Sequence, residues 1–180
     1  MGKQLDSLNQ DLIEFIGQQK IFFVGTAASE GKVNVSPKGM DTFRVIDQNK
    51  VLWLNLTGSG NETAAHIQQN NRMTIMFCAF EGKPLILRLY GKAKIYHNYD
   101  KEWDDLKRHF PEITGTRQFF EMTIDMVQTS CGMAVPFFEF QDDRRELESW
   151  AQKQGEERLV NYRTEKNTLS LDGFPTNVNK

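Results

Sequence analysis

The spacing of apolar residues changes early in the chain and predicts one helix followed by a series of strands. Leu5, Leu8, Leu12 and Ile16 recur at helical spacing, so an amphipathic helix is predicted over residues 4–18. Beyond residue 20 the segments are short and largely apolar, which is typical of strands. Strands are predicted at 20–28, 33–38, 42–47, 50–57, 72–80, 85–96 and 118–127, with a further short one at 137–140. Short polar turns such as SEGK and DQNK indicate antiparallel neighbours.

Three later segments have helical character. Helices are predicted at 61–70, at 100–109 and, as a charged segment, at roughly 142–165. The pattern therefore predicts a mainly β protein with peripheral helices: an antiparallel barrel of six or seven strands with an N-terminal helix, a short crossover helix and C-terminal helices. Closure into a barrel would protect strand edges that a flat sheet exposes.

Two strands have patterns that bear on packing. In the strand 118–127, alternation places Phe120, Met122, Ile124 and Met126 on one face, which is expected to be the core face. The strand 85–96 has Leu85, Leu87 and Leu89 on one face and Ile86 and Tyr90 on the other, so it needs a second cover besides the barrel core. This second requirement predicts a homodimer.

Composition narrows the function classes. The chain has 180 residues, 39% of them hydrophobic, and its 22 Lys and Arg against 24 Asp and Glu give a formal charge of −2. No basic excess exists to drive binding to nucleic acid or to an anionic membrane, so neither partner is expected. Two cysteines predict no disulfide scaffold, and the absence of a long apolar run or a secretory signal leads us to expect a cytoplasmic protein. The scattered Cys and His residues show no metal-ligand spacing.

The segment LTGSGNETAAHI, residues 56–67, is the most informative in the chain. It predicts a strand, a tight glycine turn and a helix start, and such a start presents free N–H groups and the positive end of a dipole to a phosphate. A capping box between Ser59 and Glu62 is expected. Gly58 and Gly60 would let a phosphate approach the backbone, beside donors on Ser59, Asn61 and Thr63. The alternatives are an ordinary capped helix and a dinucleotide fingerprint; a single strand–helix–strand unit disfavours the fingerprint.

The strand 33–38 carries a polar face beside this turn. Alternation places Asn34, Ser36 and Lys38 on one face and Val33 and Val35 on the other. Lys38 would supply the positive charge that the neutral turn lacks. The alternative interpretation is a solvated edge strand.

The segment VQTSCGMAVP, residues 127–136, ends the strand 118–127 with small residues. Cys131 beside Ser130 suggests a nucleophile, but His66, His97 and His109 are scattered and form no recognisable catalytic arrangement with it. A tight turn lining a pocket is the favoured interpretation, and no side chain is assigned a catalytic role. Cys78, inside an apolar strand, is expected in the core.

Four segments together resemble a known family: NVSPKGMDTFRV, LWLNLTGSGNETAAHIQQNNRMTIMF, LRLYGKAKIY and VQTSCGMAVP. In this order they are similar to the pyridoxamine 5'-phosphate oxidase-like family, the FMN-binding split barrels, and in particular to its small stand-alone members. The resemblance implies a split barrel over residues 1–140, with 141–180 as a helical extension and tail of the same domain. It also implies a homodimer that binds FMN at each of two sites between the subunits.

The resemblance assigns cofactor contacts to Ser36, Pro37, Lys38, Gly39, Thr57, Gly58, Ser59, Asn61, Thr63, Arg88, Gln128, Ser130 and Cys131. Gln128 looks similar to a glutamine that reaches the flavin of the partner chain, so the loop 128–136 is expected to lie over that flavin. The glycine turn and Lys38 correspond to the phosphate side of the family's site.

The chain departs from the true oxidases at the phosphate side. Val33 lies where they have an arginine, Asn61-Glu62-Thr63 lies where they have Ser-Arg-Lys, and Ile86 lies where a flavin-facing glutamine is usual. Their C-terminal substrate motif is absent after Pro136. The phosphate charge must then come from Lys38, helped by Arg44 or Arg88 and the helix dipole, and pyridoxamine phosphate is not expected as the substrate.

The leading hypothesis is an FMN-binding oxidoreductase-like flavoprotein that acts on an unidentified small molecule. FMN itself supplies the redox chemistry, which agrees with the lack of a catalytic triad. The first alternative is a non-catalytic dimer that binds flavin or haem, and the second is a barrel without cofactor that serves as an interaction module. The residues do not separate FMN from a deazaflavin.

Overall fold

Eight strands form one antiparallel sheet in the computed structural model of the chain, which describes residues 2–180. The strands are β1 (Lys3–Leu5), β2 (Phe22–Thr26), β3 (Asn34–Lys38), β4 (Phe43–Asp47), β5 (Lys50–Leu56), β6 (Arg72–Cys78), β7 (Ile86–Tyr96) and β8 (Thr116–Ser130). Their order is β3-β2-β6-β7-β8-β5-β4, and β1 pairs with β8. This confirms the predicted mainly β class, and the arrangement is consistent with a split barrel.

Four helices lie around the sheet in the part of the chain that the structure describes: α1 (Gln10–Gln18), α2 (Glu62–Gln69), α3 (Trp103–Lys107) and α4 (Glu146–Lys166). Helix α4 consists of two pieces, because Gly155 has a non-helical backbone with φ 70° and ψ 163°. Within residues 2–180, no helix combines the length and apolar character needed to cross a bilayer.

The main core lies inside the curved sheet. Trp53 of β5 stacks on Phe120 of β8 with ring centroids 4.7 Å apart, and Leu12 and Ile16 of α1 pack against the same cluster. A second, smaller cluster around Phe119 lies on the other face of β8, beneath α3. Because β8 is buried on both faces, side chains at its start are shielded from water whichever way they point.

The N-terminal helix and one short strand differ from the prediction. Helix α1 begins at Gln10 and not at residue 4, because the Asn9 side chain caps it by accepting from Leu12 N at 3.0 Å. Residues 3–5 instead pair with β8. The predicted strand 137–140 is absent from the described chain, where Phe137 and Phe138 are exposed in an irregular segment.

A β-bulge changes which residues of β8 face the core. Gly91 pairs with Ile124 while Tyr90 pairs with Met126, so Asp125 is the extra residue and the alternation shifts by one. The prediction that Met126 lies on the core face is therefore wrong; Val127 is buried in its place. A Cβ on Gly91 would lie 2.0 Å from the carbonyl oxygen of Thr123, so only glycine fits beside this bulge.

Candidate functional site

A cleft of about 400 Å³ joins the polar strand and the glycine turn that the sequence singled out. It lies between β3, β5 and the turn that precedes α2. Nine of the predicted contact residues line it: Ser36, Pro37, Lys38, Gly39, Thr57, Gly58, Ser59, Asn61 and Thr63. These two segments are separated in sequence by β4 and β5, so their pairing is a property of the fold. The volume of the cleft is within the range of small-molecule sites.

Strand β3 has the predicted alternation. Asn34, Ser36 and Lys38 are half-buried and line the cleft, whereas Val35 is exposed on the opposite face. The Asn34 amide donates to Thr63 Oγ1 at 3.3 Å and so ties β3 to the first turn of α2. This bond sets the width of the cleft at one point.

Lys38 is the cation at the β3 side of the cleft. Its Nζ lies 5.1 Å from the centroid of the Trp53 ring, in cation–π geometry. Burial, together with the nearby Arg117 guanidinium, lowers the pKa of Lys38 to about 8. An anion in the cleft would favour the charged ammonium and reverse that shift.

The prediction of a capping box between Ser59 and Glu62 is wrong. Helix α2 begins at Glu62, so Asn61 is the N-cap residue, and no side chain there caps the helix. The Glu62 carboxylate instead accepts from the backbone N–H of Leu171 at 3.0 Å through each of its oxygens. The first N–H groups of α2 are therefore not consumed by a side-chain cap.

A buried arginine, Arg117, also lines the cleft and was missed by sequence reasoning. It lies at the start of β8, is 5% exposed, and donates from Nη1 to Asn167 Oδ1 at 2.7 Å. Burial, followed by the charge of Arg163, lowers the pKa of Arg117 to about 9. One signal in the sequence was available: Arg117 and Gln118 are polar residues entering a strand that is otherwise apolar.

Three polar atoms of cleft residues are buried without a hydrogen-bond partner within residues 2–180: Ser36 Oγ, Asn61 Oδ1 and Arg117 Nε. Buried polar atoms are normally paired, so three such atoms in one cleft are available to hydrogen-bond a polar ligand. Ser36 and Arg117 offer donors, which suit phosphate oxygens. Asn61 offers an acceptor, because its Nδ2 already donates to the Asn167 carbonyl at 3.3 Å; an acceptor suits a ligand hydroxyl. The residues present therefore fit a phosphorylated polyol such as the ribityl phosphate of FMN.

The other four predicted contacts, Arg88, Gln128, Ser130 and Cys131, do not line this cleft. Arg88 donates from Nη1 to Ser130 Oγ at 3.2 Å, and Tyr90 Oη lies 3.2 Å from Gln128 Oε1. These side chains occupy the outer, half-exposed face of β7 and β8. Within one chain the structure thus brings together only the phosphate-side group of predicted residues.

Arg44 is engaged elsewhere. Its guanidinium donates to the carboxylate of Asp41 and to the carbonyl oxygen of His109, and it does not line the cleft. The suggestion that Arg44 supplies phosphate charge is therefore not supported by its position. Cys78 is buried as expected, and burial raises its pKa.

Comparisons with known proteins identify similar sequences and folds. The family model described as pyridoxamine 5'-phosphate oxidase matches residues 8–131. The pyridoxamine 5'-phosphate oxidase family protein ustO of Aspergillus flavus is 34% identical over 195 residues, which cover 94% of this chain and 76% of ustO.

Solved structures share the fold at low identity. The HupZ protein of group A Streptococcus has a TM-score of 0.54 at 19% identity, over 66% of this chain and 91% of HupZ. A putative pyridoxamine 5'-phosphate oxidase from Lactobacillus delbrueckii has a TM-score of 0.51 at 16% identity, over 68% and 94% of the two chains. HutZ, the heme storage protein of Vibrio cholerae, has a TM-score of 0.50 at 16% identity, over 70% and 97%.

Proposed function

Because the chain belongs to the pyridoxamine 5'-phosphate oxidase family, we propose that it is an FMN-binding flavoprotein whose cleft holds the ribityl phosphate. The observation that carries this proposal is the set of unpartnered buried atoms of Ser36, Asn61 and Arg117 in a cleft that also contains Lys38. The Ser36 hydroxyl and the two cations Lys38 and Arg117 suit a phosphate, and the free amide oxygen of Asn61 suits a hydroxyl of the polyol chain.

The chain's own residues would bind and orient the cofactor. The Ser36 hydroxyl and the Lys38 ammonium contact the phosphate from β3, and the free N–H groups at the start of α2 contact it from the turn. When bound, FMN supplies hydride and electron chemistry. We therefore propose an oxidoreductase whose substrate is a small molecule other than pyridoxamine phosphate, since the substrate motif of the true oxidases is absent after Pro136.

Haem is the alternative ligand for this fold. Haem proteins generally hold the iron through a histidine, cysteine, methionine or tyrosine side chain. Within the described residues, no histidine, cysteine or tyrosine lines the cleft, and His66 is buried in α2 with Nδ1 3.1 Å from Thr26 Oγ1. Met40 does line the cleft, but it lies there beside Lys38 and the buried donors of Ser36 and Arg117, which suit an anion. The chemistry of this cleft supports a phosphorylated ligand over haem.

We further propose that the chain forms a homodimer. Val33, 72% exposed beside the edge strand β3, and Phe137, 80% exposed after β8, are large apolar residues in contact with water in the single chain. In the dimer that we propose, the partner chain covers these side chains. Light scattering at micromolar concentration should give a mass near twice 20.8 kDa; a mass near 20.8 kDa contradicts the dimer.

The dimer gives the second group of predicted residues a role. Arg88, Gln128, Ser130 and Cys131 lie outside the cleft of their own chain, so we propose that they, with the loop 128–136, contact the flavin bound in the partner's cleft. Gln128 can both donate to and accept from the polar edge of the flavin ring.

We also propose a cytoplasmic location for the protein. The free, exposed thiol of Cys131 supports it.

The deciding experiment compares three ligands on the purified protein. FMN should bind with the highest affinity, seen as quenching of the flavin fluorescence. Riboflavin should bind more weakly because it lacks the phosphate. Hemin should give no shift of its Soret absorption band characteristic of axial ligation. Uptake of hemin in place of FMN, or no uptake of either flavin, would overturn the proposal. Anaerobic addition of NADH or NADPH to the FMN-loaded protein then tests for oxidoreductase activity.

A further inference from the structure

The C-terminal part of the chain holds the glycine turn, although it lies outside the residues 8–131 that match the family. Asn167, directly after α4, is fully buried and donates from Nδ2 to the carbonyl oxygen of Gly58 at 3.0 Å. Its own carbonyl oxygen accepts from Asn61 Nδ2 at 3.3 Å. Gly58 and Asn61, at the two ends of the turn, are thus both bonded to one residue that lies more than 100 positions away in sequence.

The same asparagine orients Arg117. Arg117 Nη1 donates to Asn167 Oδ1 at 2.7 Å, which fixes the guanidinium plane and leaves Nε without a partner within the described residues. Leaving a buried donor unpaired is costly, and more so for a charged group. Arg117 lines the cleft, so a ligand in the cleft is the natural acceptor for Nε.

Arg163, in the last turn of α4, secures the strand ends beside the cleft. Its Nε donates to Thr57 Oγ1 at 2.9 Å, and its Nη2 donates to the carbonyl oxygen of Thr116 at 3.3 Å. Thr57 directly follows β5 and lines the cleft, and Thr116 directly precedes Arg117. Arg163 therefore holds both segments in register.

The cleft has an excess of positive charge. Within residues 2–180, neither Lys38 nor Arg117 forms an ion pair. The neighbouring Arg163 does have a carboxylate partner, Glu156, at 3.2 Å. Buried cations without counter-ions are unfavourable unless an anion is present. The Glu62 carboxylate lines the cleft but is tied to the N–H of Leu171.

We propose that Arg117 contacts the phosphate monoester of the bound ligand through Nε, and that Asn167 and Arg163 are positioning residues which the C-terminal segment supplies to this site. This inference rests on the proposed function and deepens it. It names the source of the positive charge that the turn itself lacks, since Asn61-Glu62-Thr63 contains neither Arg nor Lys. The C-terminal segment is then part of the binding site and not only a cover of the barrel.

The test compares FMN with riboflavin, which differ only in the phosphate. The substitution Arg117→Gln should weaken FMN binding by about 10- to 100-fold, the range for a lost charge-assisted hydrogen bond, and leave riboflavin affinity unchanged. Arg158→Gln is the matched control, because Arg158 is an exposed arginine on the same helix as Arg163. It should change neither affinity.

Asn167 provides the readout for positioning. Asn167→Asp keeps an acceptor for Arg117 but adds a negative charge and removes the donor to Gly58. It should lower FMN affinity more than Asn167→Ala does, again with riboflavin unchanged. A purely structural role would lower the affinities for both flavins together.

If Arg117→Gln fails to fold, Arg117→Lys replaces it in the test. Arg117→Lys keeps the positive charge but lacks Nε, so it should still lose affinity for FMN and not for riboflavin. Equal losses for FMN and riboflavin, or an unchanged FMN affinity in the Arg117 variants, overturn the inference. If wild-type protein binds no flavin, inorganic phosphate is the probe: a rise in melting temperature that Arg117→Gln abolishes upholds the Arg117 site while refuting the FMN proposal. No response to phosphate refutes both.

Discussion

The guanidinium of Arg163 donates through Nε to the hydroxyl of Thr57 at 2.9 Å, across a separation of 106 residues. Thr57 is 1% exposed, and its hydroxyl in turn donates to the carbonyl oxygen of Gly115 at 2.9 Å. The helix at the end of the chain is thereby bonded to the strand end where the glycine turn begins. A site formed mainly by β3 and β5 depends in this way on α4.

Removal of the Lys38 ammonium should weaken FMN binding without unfolding the protein. We expect Lys38→Met to cost about 1.5–3 kcal/mol of FMN binding free energy, the range for a hydrogen bond to a charged group. Its melting temperature should not fall, because the wild-type cation is buried without an ion pair within the described residues. Fluorescence titration measures the affinity, and Lys101→Met, at an exposed position, serves as the control. Equal affinity of wild type and Lys38→Met would contradict the assignment.

FMN affinity should fall as the pH rises above about 8. Burial and the charge of Arg117 lower the pKa of Lys38 to about 8 in the free protein, so the lysine loses its proton above that pH. A bound phosphate dianion favours the charged lysine, so binding at higher pH requires the uptake of a proton and becomes weaker. Titrations between pH 7 and 10 test this, and in Lys38→Met the decline centred near pH 8 should disappear.

Gly58 should be intolerant of side chains for a reason unrelated to folding. Gly58 lines the cleft, and a Cβ built on it meets no protein atom within 4 Å. Gly58→Val should therefore leave the melting temperature close to wild type while it reduces FMN affinity at least about tenfold, because the side chain occupies space near the phosphate. Full FMN affinity in this variant would show that the ligand does not approach the turn.

Gln128 should act on the flavin of the other subunit. We expect Gln128→Ala to alter the visible spectrum or reduction rate of bound FMN, because Gln128 does not line its own cleft. Mixing refolded Lys38→Met and Gln128→Ala chains should restore one intact site per mixed dimer. The absence of any recovery would indicate that Lys38 and Gln128 act within one chain.

Gly132, another residue of the loop 128–136, is unsuitable for this test. A Cβ there would lie 2.9 Å from the backbone nitrogen of Leu85, so even alanine requires the backbone to move. A bulky residue at Gly132 would therefore disturb the fold as well as the loop. A spectral change in such a variant would report the displaced backbone as well as the flavin.

Local patterns determined most of the strands and most of the residues that line the cleft. Alternation in β3 depends only on the period of a strand, and it correctly placed Ser36 and Lys38 on one face. The turn at Gly58 is equally local, because glycines between a strand and a polar helix start have few other uses. The sequence therefore predicted nine of the residues that line the cleft.

Tertiary structure decided what lay beyond local reach. The bulge beside Gly91 places Val127 in the core and Gln128 on the outer face, and it depends on how β8 pairs with β7. The departure of Glu62 from the expected capping box depends on Leu171, and the burial of Arg117 depends on Asn167. Each of these contacts joins residues from different elements, 33 or more positions apart in sequence, so no spacing rule within a helix or strand contains them. Sequence period thus determined which face each strand of the cleft presents, whereas long-range packing decided which charges meet there.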